Sequence, residues 1–376
     1  MRVAIVHYWL LNMRGGEQVV EALCRIFPQA DLFTLFYDPE RVSPLIRSKH
    51  VTASYLNPFK RYYRSLLPVM PMALESFDLR GYDLVISSES GPAKGIIVSA
   101  SARHICYCHT PMRYLWDLYP DYLHEWSNGP IRKAALAIFS HYLRLWDYAS
   151  AARVDRFVAN SENVRRRIER AYRRDSIVIP PPVEVDSFGW RPSDDYYLAV
   201  SELVPYKRID LAVAACTRMN RRLKVVGQGP EYRKLKRAAG PTIEFLGRVT
   251  VEELVDLYSR SRALIQPGEE DFGIASVESL ASGKPVIGCG RGGLLEIAKG
   301  EPAGFFFEQP TVEDLKLAIE RFERAEPELR PEICASLAKR YSASAFEMKI
   351  RSVVAEQFRT EQETGIFRSA ASGNDA

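Results

Sequence analysis

The sequence predicts an α/β protein built from two doubly wound domains with parallel sheets. Three observations carry this. Short apolar runs alternate with amphipathic stretches along the chain, the pattern of strand–helix–strand units. The chain has 376 residues, more than one core usually holds. A proline-rich break, PPPVEVDSFGWRP at 180–192, separates two sets of strands.

Taken in order, the first set of strands is VAIVHYW (3–9), DLFTLF (31–36), DLVISS (83–88), HICYCH (104–109), RFVAN (156–160) and SIVIP (176–180). The second is YYLAVS (196–201), LKVVG (223–227), IEFLG (243–247), RALIQP (262–267) and KPVIGC (284–289). Each is a short β-branched or aromatic run of the kind buried on both faces of a parallel sheet. The N-terminal domain is placed at 1–180 and the C-terminal domain at 181–345. The helical pattern SASAFEMKIRSVVAEQF gives a closing helix over 346–360. The small, polar residues 361–376 are expected to be disordered.

Composition narrows the class. Hydrophobic residues make up 47% and charged residues 26%, which is ordinary for a soluble protein. No run is apolar and long enough to span a bilayer, and MRVAIVHYWL reads as a first strand rather than a leader, so a cytoplasmic location is expected. The six cysteines are scattered and form no CxxC pair, so they read as reduced, packed thiols. His104, Cys106 and Cys108 share one strand face, but extended spacing sets 104 and 108 too far apart for one tetrahedral ion. No metal site is expected.

The net charge is +4, with basic residues gathered in the first half and interleaved with aromatics: YLNPFKRYYRSLLPVMP (55–71) and IRKAALAIFSHYLRLWDY (131–148). An anionic membrane surface suits such stretches; so does a solvated helix face over core aromatics. They match no nucleic-acid reader motif, and no nucleic-acid partner is expected.

Glycines follow several strands: Gly15-Gly16 after the first, Gly227-Gln-Gly229-Pro in the second half. Glycine lets backbone N–H groups approach an anion at a helix start, and each pair also reads as a plain turn. The device in both domains suggests a phosphate held between them. The GxxxxGK[ST] loop is absent, as is GxGxxG after the first strand.

The densest chemistry lies in EEDFGIASVESLASG (269–283). A helix is predicted from Gly273 or Ile274 to Gly283, its C-cap, at the carboxyl edge of a sheet. The N–H groups of Phe272, Gly273 and Ile274 are left free to donate. Glu270 precedes the helix and Glu278 lies about one turn inside. A carboxylate beside free N–H donors can receive a sugar, and a second can accept both hydroxyls of a ribose. A capped helix with two surface glutamates fits the same residues.

Glu270-x7-Glu278 enclosing FGI, then SLASGKPVIG and GRGGLLE (290–296), resembles the nucleotide-sugar signature of glycosyltransferase family 4, retaining enzymes of the GT-B fold. HTPMRYLWD (109–117) resembles a mannosyltransferase-like branch that builds bacterial surface polysaccharides. VANSENVRRRI, IPPPVEVDSF, LVPYKRIDLAV, VVGQGPE and FLGRVTVEELVDLY follow in the family's order.

The resemblance implies two Rossmann-like domains facing each other across a cleft, acceptor-binding first and nucleotide-sugar-binding second. It implies that Glu270 binds donor-sugar hydroxyls with the N–H groups of Phe272, Gly273 and Ile274, that Glu278 holds the ribose, and that Lys207 pairs with the diphosphate. Gly16 touches the diphosphate or acceptor, His109 faces the donor sugar, and Gly247 and Arg248 lie near the base. Gly227, Gly229 and Arg208 complete the implied donor site. The family usually carries arginine five residues before that lysine; here Glu202 stands there. A carboxylate repels a diphosphate. Either Arg208 supplies the missing charge, or the clamp is weakened, or the chain is a non-catalytic nucleotide-sugar-binding protein. No DxD is present, and no metal is expected. The implied donor is GDP-mannose, with a UDP-sugar as alternative. The implied acceptor is a polyprenyl-diphosphate-linked glycan at the cytoplasmic membrane face.

Overall fold

The computed structural model describes residues 1–120, 123, 129–298 and 302–371. The chain forms two compact units, one of residues 1–180 and 346–376, the other of residues 181–345.

The first unit is a seven-stranded sheet: β1 Val3–Leu10, β2 Asp31–Tyr37, β3 Val51–Ala53, β4 Leu84–Glu89, β5 Arg103–Cys108, β6 Arg156–Ala159 and β7 Ser176–Val178. Its order is β3-β2-β1-β4-β5-β6-β7, and every paired strand runs parallel. The second unit is a six-stranded sheet: β8 Tyr197–Val200, β9 Leu223–Val226, β10 Ile243–Gly247, β11 Leu264–Gln266, β12 Val286–Cys289 and β13 Gly304–Phe307. Its order is β10-β9-β8-β11-β12-β13, again parallel throughout. β3 and β13 were not among the strands the sequence predicted. Both lie at sheet edges.

Successive side chains of a strand point to opposite faces, so a doubly wound sheet needs a core on each side. In β1, Val3 and Ile5 enter one core while Ala4 and Val6 enter the other. In β8, Tyr197 and Ala199 lie on one side and Leu198 on the other. The order reverses between β1 and β4, and again between β8 and β11. Loops leaving the carboxyl ends at such a reversal diverge to opposite faces and open a crevice in each sheet.

One expectation at the domain borders is corrected, and the other border is packed. The proline-rich break at 180–192 is packed: Val183 and Val185 are buried in the second unit's core, and Val183 bridges Ser342. The closing helix runs Ala343–Ala371, so the tail expected to be disordered over 361–376 is helical as far as Ala371; residues 372–376 lie outside the described residues. Glu, Gln, Arg and Ala in TEQETGIFRSAA propagate a helix once it is nucleated. This helix packs into the first unit through Phe346, Ile350, Val353 and Val354, one stripe at helical spacing.

A buried ionic network braces the first unit. Lys94 and Asp147 are both fully buried and ion-paired, with Glu89 Oε1 3.5 Å from Lys94 Nζ. Asp147 also accepts from Trp116 Nε1 (2.8 Å) and Tyr172 Oη (3.0 Å). It therefore ties the end of β4 to the helices Pro130–Ser150 and Glu162–Tyr172 and to the segment after β5. Removing one member of a buried pair strands the other charge. Asp147→Ala is expected to destabilise the protein by about 3–5 kcal/mol in urea unfolding. Lys94→Met with Asp147→Leu should cost clearly less; equal losses would show that packing rather than charge dominates.

Candidate active site

Three strand ends of the first unit bring together His7, Ser88 and His109. His7 lies fully buried in β1, with Nδ1 2.9 Å from the Ser88 carbonyl oxygen and 3.2 Å from Ser88 Oγ. A carbonyl oxygen only accepts, so His7 Nδ1 carries the proton. Ser88 Oγ also lies 2.9 Å from His109 Nε2. The Ser88 hydroxyl is thus shared between the two imidazole rings. Burial pushes the His109 pKa down to about 4, so the ring is neutral near pH 7. Its backbone is fixed: its N–H donates to Glu89 O (2.7 Å), and its carbonyl accepts from Asn160 Nδ2 (2.9 Å).

The helix Gly15–Ile26 starts against this cluster. A Cβ on Gly16 would meet His7 Cε1 at 3.5 Å, and His109 Nε2 and Tyr8 Oη at 3.6 Å. Glu17 is buried, accepts from the Arg14 N–H (3.1 Å) and sets Oε1 4.0 Å from His7 Nε2. That Nε2 is buried without a hydrogen-bond partner. Burial lowers the His7 pKa to about 3, with His109 adding to the effect, and raises the Glu17 carboxyl to about 7. The sequence reading missed His7, Ser88 and Glu17 as functional positions. The available signal was a histidine inside VAIVHYW and a Ser-Ser pair closing DLVISS.

In the second unit the crevice between β8 and β11 holds Lys207 and Glu270. Their side chains form an ion pair that joins the turn Pro205–Lys207 to the loop after β11. Burial alone would lower the Lys207 pKa; Glu270, then Tyr206 and Asp271, outweigh it and raise it. The Glu270 carbonyl accepts from the Gly293 N–H (2.9 Å), and Glu270 pairs with Gly292 as an isolated bridge. A Cβ on Gly292 would lie 2.2 Å from that carbonyl, so GRGG is a backbone-to-backbone seat for the Glu270 loop.

The helix Ile274–Ala281 follows, with Gly273 as N-cap. Gly283, at φ +72°, ends it: Gly283 N–H bonds to Leu280 O and Lys284 N–H to Ser279 O, both 2.9 Å, a Schellman closure. The N–H groups of Phe272, Gly273 and Ile274 donate to no group among the described residues. The Phe272 side chain is buried edge-on against Tyr341, which leaves its backbone as the available part. Glu278 accepts from Tyr258 Oη at 2.8 Å. Burial raises its pKa, and the Tyr258 hydrogen bond works the other way.

The remaining expected residues behave differently. Gly227 and Gly229 sit where a Cβ would meet Ser201 O at 1.8 Å and Leu203 O at 2.3 Å. They let the ends of β8 and β9 touch. The Gly227 N–H is already engaged by Gly247 O at 2.7 Å, so that donor is not left for a phosphate. Arg208 is bonded to Asp210 through two nitrogens, at 3.1 and 3.2 Å, so its charge is already balanced. Arg248 is exposed and makes no ion pair among the described residues. Glu202 lies in the loop after β8, its carbonyl accepting from Ser201 Oγ (3.1 Å).

The buried Glu17 generates a pH dependence. Its folded pKa of about 7 exceeds the unfolded 4.5, so the folded state holds the proton more tightly and stability from this group falls as pH rises from about 4.5 to 7. The loss is at most about 3 kcal/mol. Glu17→Gln is expected to be more stable than wild type at pH 8 and closer to it at pH 5. The difference isolates Glu17 from the two histidines, whose lowered pKa values act in the opposite sense. Parallel urea midpoints at both pH values would reject this assignment.

Two family models match the chain: Glycosyltransferase Family 4 over residues 13–187, and Glycosyl transferases group 1 over residues 183–359. An uncharacterised glycosyltransferase of Methanocaldococcus jannaschii is 28% identical over 170 residues, 44% of this chain and 48% of that protein. A D-inositol 3-phosphate glycosyltransferase of Geodermatophilus obscurus is 30% identical over 239 residues, 54% of this chain and 52% of that protein. The chain thus spans about half the length of these curated relatives. The crystal structure of Anabaena HepE in complex with UDP and glucose superposes with a TM-score of 0.70 at 14% identity, over 94% of this chain and 99% of HepE. The parallel sheets, their paired reversals and the consecutive matches agree: the chain has the GT-B fold, its first part matching the Glycosyltransferase Family 4 model and its second the Glycosyl transferases group 1 model.

Proposed function

We propose that this protein is a retaining glycosyltransferase that moves a hexosyl group, mannose from GDP-mannose, onto a polyprenyl-diphosphate-linked glycan. The observation that carries the reading is the second unit's constellation: a cation, two carboxylates and three unengaged N–H donors around one helix start. In this reading Glu278 accepts the ribose hydroxyls. Glu270 and the N–H groups of Phe272, Gly273 and Ile274 hold the sugar. Lys207 pairs with Glu270 when the site is empty and turns to the diphosphate when the donor arrives, which frees Glu270 oxygens for sugar hydroxyls. Its charge then stabilises the departing diphosphate, so the site requires no metal. His109 presents a neutral imidazole to the sugar. Retention follows from displacement on one face, where the leaving phosphate takes the acceptor's proton and no enzymic base is needed.

The donor is assigned by resemblance to the mannosyltransferase branch; the likeness to HepE, crystallised with UDP and glucose, favours a UDP-sugar as second reading. Calorimetric titration with GDP, GDP-mannose, UDP and UDP-glucose, all with EDTA, separates the two. Tight GDP-mannose binding is expected; preference for UDP-glucose would overturn the donor and keep the reaction class. Lys207→Ala should lower kcat about 100- to 1,000-fold, the cost of losing one transition-state charge donor. A larger effect on KM than on kcat would place Lys207 in ground-state binding instead.

We also propose a cytoplasmic protein that rests on an anionic membrane face through its first unit. No helix among the described residues is long and apolar enough to cross a membrane. The segment Asn57–Val69 and its flanks expose Tyr55, Phe59, Tyr62 and Met72 beside Lys60, Arg61 and Arg64. Replacing those three cations by glutamate should release the protein from sedimenting phosphatidylserine vesicles, each basic residue contributing about 1 kcal/mol. Unchanged sedimentation sinks the membrane assignment.

A further inference from the structure

The helix Pro130–Ser150 has its polarity inverted. Its buried positions include Ser140, Leu143, Asp147 and Ser150, spaced by three, four and three residues. Three of these four are polar, because this face serves the buried pair of Lys94 and Asp147. The opposite face is apolar. Ile131, Ala135, Ile138, Tyr142, Leu145 and Ala149 are all exposed, at spacings of four, three, four, three and four. A surface helix normally shows the reverse, with apolar residues inward and polar residues outward.

The outer face has the pattern of a helix pair. Alternation of four and three is the a/d seam along which two helices pack. Among the described residues from Ala134 to Ala149, no exposed one is Asp, Glu, Lys or Arg. Phe139 and Tyr148 flank the seam. Interface centres are likewise poor in charge and rich in aromatics. A helix lying on an anionic bilayer instead carries lysine and arginine beside its apolar face.

The seam also complements itself. Laid antiparallel about a two-fold axis between Ile138 and Tyr142, it sets Ile131 against Ala149, Ala135 against Leu145 and Ile138 against Tyr142. Large meets small in the outer layers, so the two copies interdigitate. A parallel pair would face Ala135 with Ala135 and Ala149 with Ala149, and leave voids. A two-fold interface needs a patch that fits its own copy. The four large seam residues, with Phe139 and Tyr148, are 49–84% exposed. At about 200 Å² for a large side chain they present roughly 700 Å² per copy, close to the ~800 Å² per partner of a stable interface.

We propose that the outer face of the helix Pro130–Ser150 pairs, antiparallel, with the same face of a second copy of this chain. Sedimentation velocity of the full chain at about 1–100 μM tests it, since interfaces of this size assemble at or below that range. The samples are wild type, Ile138→Lys, Tyr142→Glu and the variant carrying both changes. Wild type is expected to be a dimer. Each single change buries an unpaired charge in the seam and should weaken the dimer about 100-fold. Both positions are exposed in the single chain, so urea midpoints should not move. The double variant sets a lysine opposite a glutamate in both central layers and should recover the dimer; in a parallel pair like charges would meet. A monomeric wild type overturns the proposal, and sedimentation of that monomer with phosphatidylcholine vesicles, lost in Tyr142→Glu, would assign the face to lipid. A dimer that survives both single changes overturns this face as the interface. A double variant that stays monomeric overturns the antiparallel register. None of these measurements involves a nucleotide sugar or an acceptor.

Discussion

A parallel strand cannot turn back on its neighbour; it must cross over through a helix or long loop and re-enter from the same end. Everything functional in this protein follows from that constraint. Each sheet sends its loops out at one edge, and the reversals between β1 and β4 and between β8 and β11 spread those loops apart. His7, Ser88 and His109 come from β1, β4 and just beyond β5, three strands adjacent in space and far apart in sequence. Lys207 and Glu270 follow β8 and β11, paired neighbours across the second reversal. Neither group meets anywhere along the chain; strand order alone assembles them.

Backbone contact then does what side chains cannot. The Glu270 loop is seated on Gly292 and Gly293, where any Cβ would collide with it. The ends of β8 and β9 touch through Gly227 and Gly229 in the same way. Both sets of glycines thus act on geometry, fixing loops that carry the charged groups. This explains why the glycine-rich segments surround the site even where their own N–H groups are already bonded, as the Gly227 N–H is to Gly247.

The fold was legible in the sequence because strands buried on both faces are continuous apolar runs with no solvent-facing alternation to blur them. The strands that escaped, Val51–Ala53 and Gly304–Phe307, both lie at sheet edges. Glu270, Glu278 and the start of the helix Ile274–Ala281 were legible because carboxylates flanking a glycine at a helix mouth form a local pattern. The roles of the GQGP glycines were not, because sequence cannot say whether an N–H is already taken. His7 and Glu17 were hidden for a different reason. A polar residue in a buried strand reads the same whether it is a satisfied core group or part of a site; the deciding fact, a shared Ser88, comes from a strand 81 residues away.

The protonation pattern suits the proposed chemistry. As a glycosyl bond breaks, positive charge grows on the sugar ring and negative charge on the diphosphate. The two ends of the donor then need opposite partners. Lys207 stays cationic because Glu270, Tyr206 and Asp271 together outweigh its burial. His109 stays neutral because burial pulls its pKa to about 4. His7 supports this arrangement. Held as the Nδ1–H tautomer by the Ser88 carbonyl, it also lies against the Ser88 hydroxyl. The neutral charge of His109 is thus a product of burial, while Ser88 links its ring to that of His7 across three adjacent strands.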